Sequence, residues 1–164
     1  MAEPASLKVS VWRGGEDGGF ARFDVPARAN QTVLDVVTHI QRELDPSLAY
    51  RFACRVGMCG SCAMTVNGRA RWTCRTHVRK VVDQDGALEL RPLANLPVIR
   101  DLAADLTPFF DKWRRAKGYF EPKDAPDGAV PEDFAVVPPA GKARREADAG
   151  IECIGCGVCY ASCD

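Results

Sequence analysis

The stretch Arg51-Phe-Ala-Cys-Arg-Val-Gly-Met-Cys-Gly-Ser-Cys-Ala-Met-Thr-Val-Asn-Gly-Arg69, with Cys74 just beyond it, decides how the chain is read. The spacing is Cys54-x4-Cys59-x2-Cys62-x11-Cys74. Three thiolates on one loop and a fourth further along the chain form the plant-type [2Fe–2S] pattern, in which a loop wraps a rigid diamond of iron and sulfide. Gly57 and Gly60 stand where that loop must turn sharply and positive φ is wanted. With Ser61 they leave room for backbone N–H groups to approach the sulfurs, which favours the more negative, reduced cluster. Arg55 adds a positive charge acting in the same direction. A structural zinc site favours two short cysteine pairs, and here only Cys59 and Cys62 make one.

Outward from this loop, the chain reads as a small sheet with one helix. Leu7–Arg13 alternates apolar and polar residues as a strand does, Gly14–Gly19 is a glycine-rich turn, and Phe20–Val25 is a second strand. Thr32 is placed as an N-cap with Asp35 three residues on. Val33, Val36, Val37, Ile40 and Leu44 then recur at helical spacing until Pro46, which predicts a helix over 33–44. After the cysteine loop, Ala63–Val66 and Arg69–Thr73 flank Asn67-Gly68, a hairpin signal. Val78–Val82 and Ala87–Arg91 are expected as further strands. This is the order of a β-grasp domain ending near Pro97.

The composition changes past Pro97. Thr107-Pro108 opens a helix with Phe109, Phe110, Trp113 and Ala116 expected on one face and Gly118 at its end. Residues 121–141 are proline-rich and are expected as an extended connector, and Lys142–Asp148 as a short helix. A second cysteine group follows, Cys153-x2-Cys156-x2-Cys159-x3-Cys163, the bacterial cluster run whose fourth cysteine serves a different cluster. Cys153, Cys156 and Cys159 suit one face of a [4Fe–4S] cube. Such a cube needs a fourth thiolate, which the sequence ending at Asp164 does not supply, so truncation at the C-terminus is expected. The predicted fold class is α+β, with an N-terminal β-grasp (plant-type ferredoxin-like) domain over 1–97. Over 98–164 it predicts the start of an α-helical bacterial-ferredoxin-like domain, left incomplete.

Composition narrows the function. The 22 basic and 22 acidic side chains cancel, so no basic field points to nucleic acid or an anionic membrane surface. Met1-Ala-Glu-Pro-Ala-Ser lacks the cationic start and apolar core of a signal peptide, and no run reaches bilayer length, so a cytoplasmic setting is expected. There thiols stay reduced, and eight cysteines in two groups of four argue for metal ligation over disulfides. His77 and His39 read as ordinary surface histidines, and Trp72 as packing for the cysteine loop. Lys112, Arg114, Arg115 and Lys117 read as a solvated helix end.

The cysteine loop resembles that of the iron–sulfur subunits of succinate dehydrogenase and fumarate reductase. Pro92-Leu-Ala-Asn-Leu-Pro-Val-Ile-Arg-Asp-Leu is similar to the family's interdomain stretch, and Glu152-Cys-Ile-Gly-Cys-Gly-Val-Cys-Tyr-Ala-Ser-Cys to the start of its second cluster domain. Asp164 departs from the proline common there. The resemblance implies an electron-transfer subunit with no catalytic residues of its own. Its partners would be a flavoprotein with covalent FAD and a cytochrome b-type membrane anchor, with quinone as acceptor at the cytoplasmic face of the cell membrane. It implies Cys54, Cys59, Cys62 and Cys74 for [2Fe–2S], Cys153, Cys156 and Cys159 for [4Fe–4S], and Cys163 as the first ligand of a [3Fe–4S] cluster. The alternatives are the iron–sulfur subunit of another flavin- or disulfide-linked oxidoreductase, and a freestanding ferredoxin-like carrier.

Overall fold

The structure is a computed structural model that describes residues 6–83, 85–119 and 140–163, apart from the side chains of residues 143 and 149–151. Nearly all of the proline-rich connector expected over 121–141 lies outside the described residues, as does Asp164.

Leu7, Val9 and Val11 put one face of β1 (Ser6–Arg13) into the core, each at most 1% exposed. β1 pairs antiparallel with β2 (Gly19–Pro26) across the glycine-rich turn, Leu7 opposite Val25. Its other edge pairs parallel with β5 (Ala87–Arg91), Val9 opposite Leu88 and Val11 opposite Leu90. Parallel neighbours need a long crossover. That crossover holds α1 (Val33–His39), the cysteine loop and the hairpin of β3 (Ala63–Val66) and β4 (Arg69–Trp72). The sheet order is β2-β1-β5-β3-β4, a mixed sheet against which α1 packs Val33, Val36 and Val37, the β-grasp arrangement expected. Asn67 and Gly68, at φ 45° and 75°, turn the β3–β4 hairpin; the asparagine side chain accepts from Glu89 N–H at 2.6 Å and donates to Val81 C=O at 2.7 Å.

Thr32 caps α1 as expected, accepting from Asp35 N–H at 3.2 Å while the Asp35 carboxylate accepts from Thr32 N–H at 2.9 Å. The helical stretch runs to Leu44, but Ile40–Leu44 winds as a π-helical turn. The strand expected at Val78–Val82 is not one. Val78–Lys80 is a 3-10 turn whose Val78 is buried, held by Val78 N–H to Gln31 C=O at 2.9 Å. His77 is half-buried and bridged to Thr32, and its Nδ1 is sealed from solvent without a hydrogen-bond partner among the described residues, so it is not the surface histidine expected.

Past residue 97 a small ribbon, β6 (Val98–Arg100) and β7 (Ala103–Ala104), precedes α2 (Thr107–Arg115), with α3 (Lys142–Ile151) and α4 (Val158–Ala161) beyond. On α2 Phe109 is buried, Trp113 is half-buried and Phe110 is exposed. The chain forms two compact units, one running to Phe109 and taking up Ile154 onward, the other Phe110–Cys153. No described helix is long and apolar enough to cross a membrane.

Asp101 locks the first unit together. It is 1% exposed, with φ 52°, and its carboxylate accepts from Gly14 N–H at 2.7 Å and Ala49 N–H at 2.8 Å. Arg13 lies alongside, its Nε 3.1 Å away. One side chain thereby ties the β1–β2 turn to the segment that leads into the cysteine loop.

Candidate functional site

Three residues of the cysteine loop take left-handed backbone angles: Arg55 at φ 60°, Gly57 at 79° and Gly60 at 68°. Glycine enters this region freely; an L-residue such as Arg55 loses about 1–2 kcal/mol there. The Arg55 guanidinium rests over the Phe52 ring at 4.8 Å, a cation–π contact that holds the loop in this form. The coil turns N–H groups inward. Cys54 Sγ accepts from Met58 N–H at 3.2 Å and from Val56 and Cys59 N–H at 3.4 Å, and Cys54 N–H donates to Cys59 Sγ at 3.5 Å.

The fourth cysteine arrives from the opposite side. β4 ends in a 3-10 turn, Thr73–Arg75, that carries Cys74. Thr73 is fully buried and fixes this turn to the loop, its hydroxyl donating to Cys62 C=O at 2.8 Å. Cys74 N–H then donates to Cys62 Sγ at 3.5 Å. Cys62 and Cys74 are buried, Cys54 is half-buried and Cys59 exposed.

The surroundings set the acidity of each thiol. The Ser61 hydroxyl, then the Cys54 and Ser61 N–H groups, lower Cys59 to about 6. N–H groups of Val56, Cys59 and Met58 hold Cys54 below its usual range. Burial, and then the neighbouring Cys62, push Cys74 up to about 11. Cys59 is thus held nearest to thiolate, the form that binds iron.

The donor set fits a [2Fe–2S] group on three counts. All eight cysteines are free thiols. The four of the first group come as two linked pairs, Cys54 with Cys59 and Cys62 with Cys74, where an all-cysteine binuclear cluster asks two thiolates of each iron. Finally, the indole N–H of Trp72, packed against Cys62 and Cys74, is buried without a hydrogen-bond partner among the described residues.

The second group is divided. Cys153 belongs to the unit Phe110–Cys153, while Cys156, Cys159 and Cys163 belong to the first unit. Gly155 and Gly157 take φ of 66° and 73°, in the left-handed region that favours glycine. Gly157 seats the segment: a Cβ there would stand 3.2 Å from Leu106 and 3.6 Å from Leu93. Tyr160 packs edge-on to Phe109 at 5.8 Å, and Asn95 Nδ2 donates to Cys163 C=O at 2.8 Å. Cys156 comes to rest on the first loop, because a Cβ built on Gly60 would lie 2.2 Å from Cys156 Cβ. Only the absence of a side chain at Gly60 permits that approach.

Two features of the site escaped the sequence. Val56 and Met58 stand 61% and 69% exposed on the loop, an apolar surface beside the thiols. Asp101 lies in the quoted Pro92–Leu102 stretch, but its role was not legible there, since the backbone N–H groups it accepts from, Gly14 and Ala49, are distant in sequence.

Comparison with known proteins agrees with this geometry. The profile of the 2Fe-2S iron-sulfur cluster binding domain family matches residues 8–111. The fumarate reductase iron-sulfur subunit of Haemophilus influenzae is 35% identical, aligned with 99% of this chain and 66% of its own length. The mitochondrial succinate dehydrogenase [ubiquinone] iron-sulfur subunit 1 of Oryza sativa subsp. japonica is 37% identical over 80% of this chain and 44% of its own length. Among solved structures, a chain of the Mycobacterium smegmatis Sdh1 complex in the apo form superposes with TM-score 0.78 and 28% identity, over 98% of this chain and 64% of that one. The chain spans just under two thirds of the bacterial relative and of the Sdh1 chain.

Proposed function

Because the chain belongs to the family of 2Fe-2S iron-sulfur cluster binding domains, we propose that it is the electron-transfer iron–sulfur subunit of a succinate dehydrogenase or fumarate reductase. The observation that carries this reading is the four-thiol set on the β-grasp scaffold, with Cys156 of a second cysteine group resting against its loop.

In this reading Cys54, Cys59, Cys62 and Cys74 hold a [2Fe–2S] cluster, which supplies one-electron chemistry when bound. The chain's part is electrostatic and positional. The N–H groups of Val56, Met58 and Cys59 aim at Cys54 sulfur, stabilise negative charge there, and do so without reorganising. Thr73 and the burial of Cys62 and Cys74 keep water from the inner side. Cys153, Cys156 and Cys159 would serve a [4Fe–4S] cluster and Cys163 a [3Fe–4S] cluster in the complete protein, within a second domain that begins after residue 97. Electrons would come from a FAD flavoprotein acting on succinate or fumarate. They would leave to quinone at a cytochrome b-type anchor on the cytoplasmic face of the membrane. The exposed Val56 and Met58 offer apolar surface beside the thiols on which a protein partner could dock.

Purification of the native complex through a tag on this subunit tests the reading. A co-purifying flavoprotein with covalent FAD and succinate- or fumarate-linked turnover is expected. A flavoprotein inactive on both, or no partner at all, overturns it in favour of another oxidoreductase or a freestanding carrier.

A further inference from the structure

Trp72 ends β4, opposite Ala63 in the hairpin register, and packs with Tyr50 against Leu34, Cys62 and Cys74. Its Nε1 is sealed from solvent and has no hydrogen-bond partner among the described residues. A buried donor left unsatisfied costs about 1–3 kcal/mol, and a phenylalanine or leucine would fill the same space without that cost. Of the side chains packed with it, Leu34, Tyr50, Cys62 and Cys74, the two cysteines bring sulfur to the cluster, and Tyr50 Oη donates to Thr38 at 3.2 Å.

We propose that Trp72 is a positioning residue for the [2Fe–2S] group, its indole N–H donating to sulfur on the side that Cys62 and Cys74 hold. The inference rests on the ligand assignment proposed above. Reduction adds negative charge to the sulfurs, so a donor aimed at them strengthens on reduction and raises the potential. The orphaned N–H of the cluster-free chain is then a donor waiting for its acceptor.

The test is the Trp72→Phe variant of the full-length protein, titrated anaerobically and followed by EPR. Full cluster occupancy with an about tenfold lower equilibrium constant for reduction is expected, which for one electron is a fall of about 59 mV. The cluster-free variant is expected to resist urea at least as well as the parent, because an unpaired buried donor has gone. An unchanged midpoint at full occupancy overturns the proposal. Should Trp72→Phe fail to hold the cluster, benzothienylalanine at position 72 keeps the shape and removes only the N–H. The same negative shift supports the proposal and an unmoved midpoint overturns it. Failure of the underlying ligand assignment shows differently, as a cluster signal that survives Cys59→Ala whatever stands at position 72.

Discussion

Removing the Asp101 carboxylate should be among the most damaging single changes outside the cysteines. The side chain is buried, accepts two backbone N–H bonds and lies against Arg13. In Asp101→Ala the N–H groups of Gly14 and Ala49 lose their acceptor. Arg13 keeps Asp45 but loses its other carboxylate. Breaking a buried, hydrogen-bonded charge pair costs about 3–5 kcal/mol, and alanine at φ 52° adds about 1 kcal/mol that aspartate and asparagine largely escape. A loss of about 4–6 kcal/mol is a large share of a typical domain's stability. Asp101→Asn keeps one acceptor oxygen and tolerates the backbone angle, so about 2–3 kcal/mol is expected. Urea denaturation followed by far-UV circular dichroism measures both, with the midpoint falling and the slope unchanged. The acid limb gives a second reading. Burial alone would raise the carboxyl pKa, but the Gly14 and Ala49 N–H groups with Arg13 outweigh it and hold it below its usual value of 3.8. The stabilisation is therefore complete above pH 3.8 and lost as pH falls through the depressed value; in Asp101→Asn that part of the acid dependence disappears. Losses under about 1 kcal/mol in both variants, or an unaltered acid limb, would refute the reasoning.

Gly60→Ala forces a side chain into Cys156 and strains a left-handed position, so the segment from Ile154 onward should lose amide-exchange protection before the sheet does. Asn67→Ala removes two hydrogen bonds and a turn residue suited to φ 45°, for an expected loss of about 2 kcal/mol by urea denaturation. In the cluster-free chain, mass-spectrometric mapping of alkylation should find Cys59 reactive with half-maximal rate near pH 6 and Cys74 the slowest of the four, titrating near 11.

Much of this architecture is written locally. Alternation in Leu7–Arg13, the Thr32/Asp35 box and Asn67-Gly68 each announce their element because the forces involved act within a few residues. The failures are non-local. Val78, Val81 and Val82 are β-branched residues of the kind strands favour, yet a 3-10 turn at Val78–Lys80 buries Val78 while both edges of β5 are already taken by β1 and β3. The π-helical turn at Ile40–Leu44 closes with Asp45 N–H to Ile40 C=O at 2.7 Å, and Asp45 is itself held by Arg13 from β1. For the site, spacing alone identified the eight cysteines as candidates. It could not show their pairing across β4, the contact of Gly60 with Cys156, or the stranded indole of Trp72, all of which depend on the folded sheet.

The central claim is that Cys54, Cys59, Cys62 and Cys74 together hold a [2Fe–2S] cluster. Iron and acid-labile sulfide analysis with EPR on the reduced full-length protein, comparing the parent with Cys59→Ala, tests it most directly. The account predicts that Cys59→Ala loses the [2Fe–2S] signal with its iron and sulfide, while signals from the second cysteine group persist. A [2Fe–2S] signal of undiminished intensity in Cys59→Ala would contradict it.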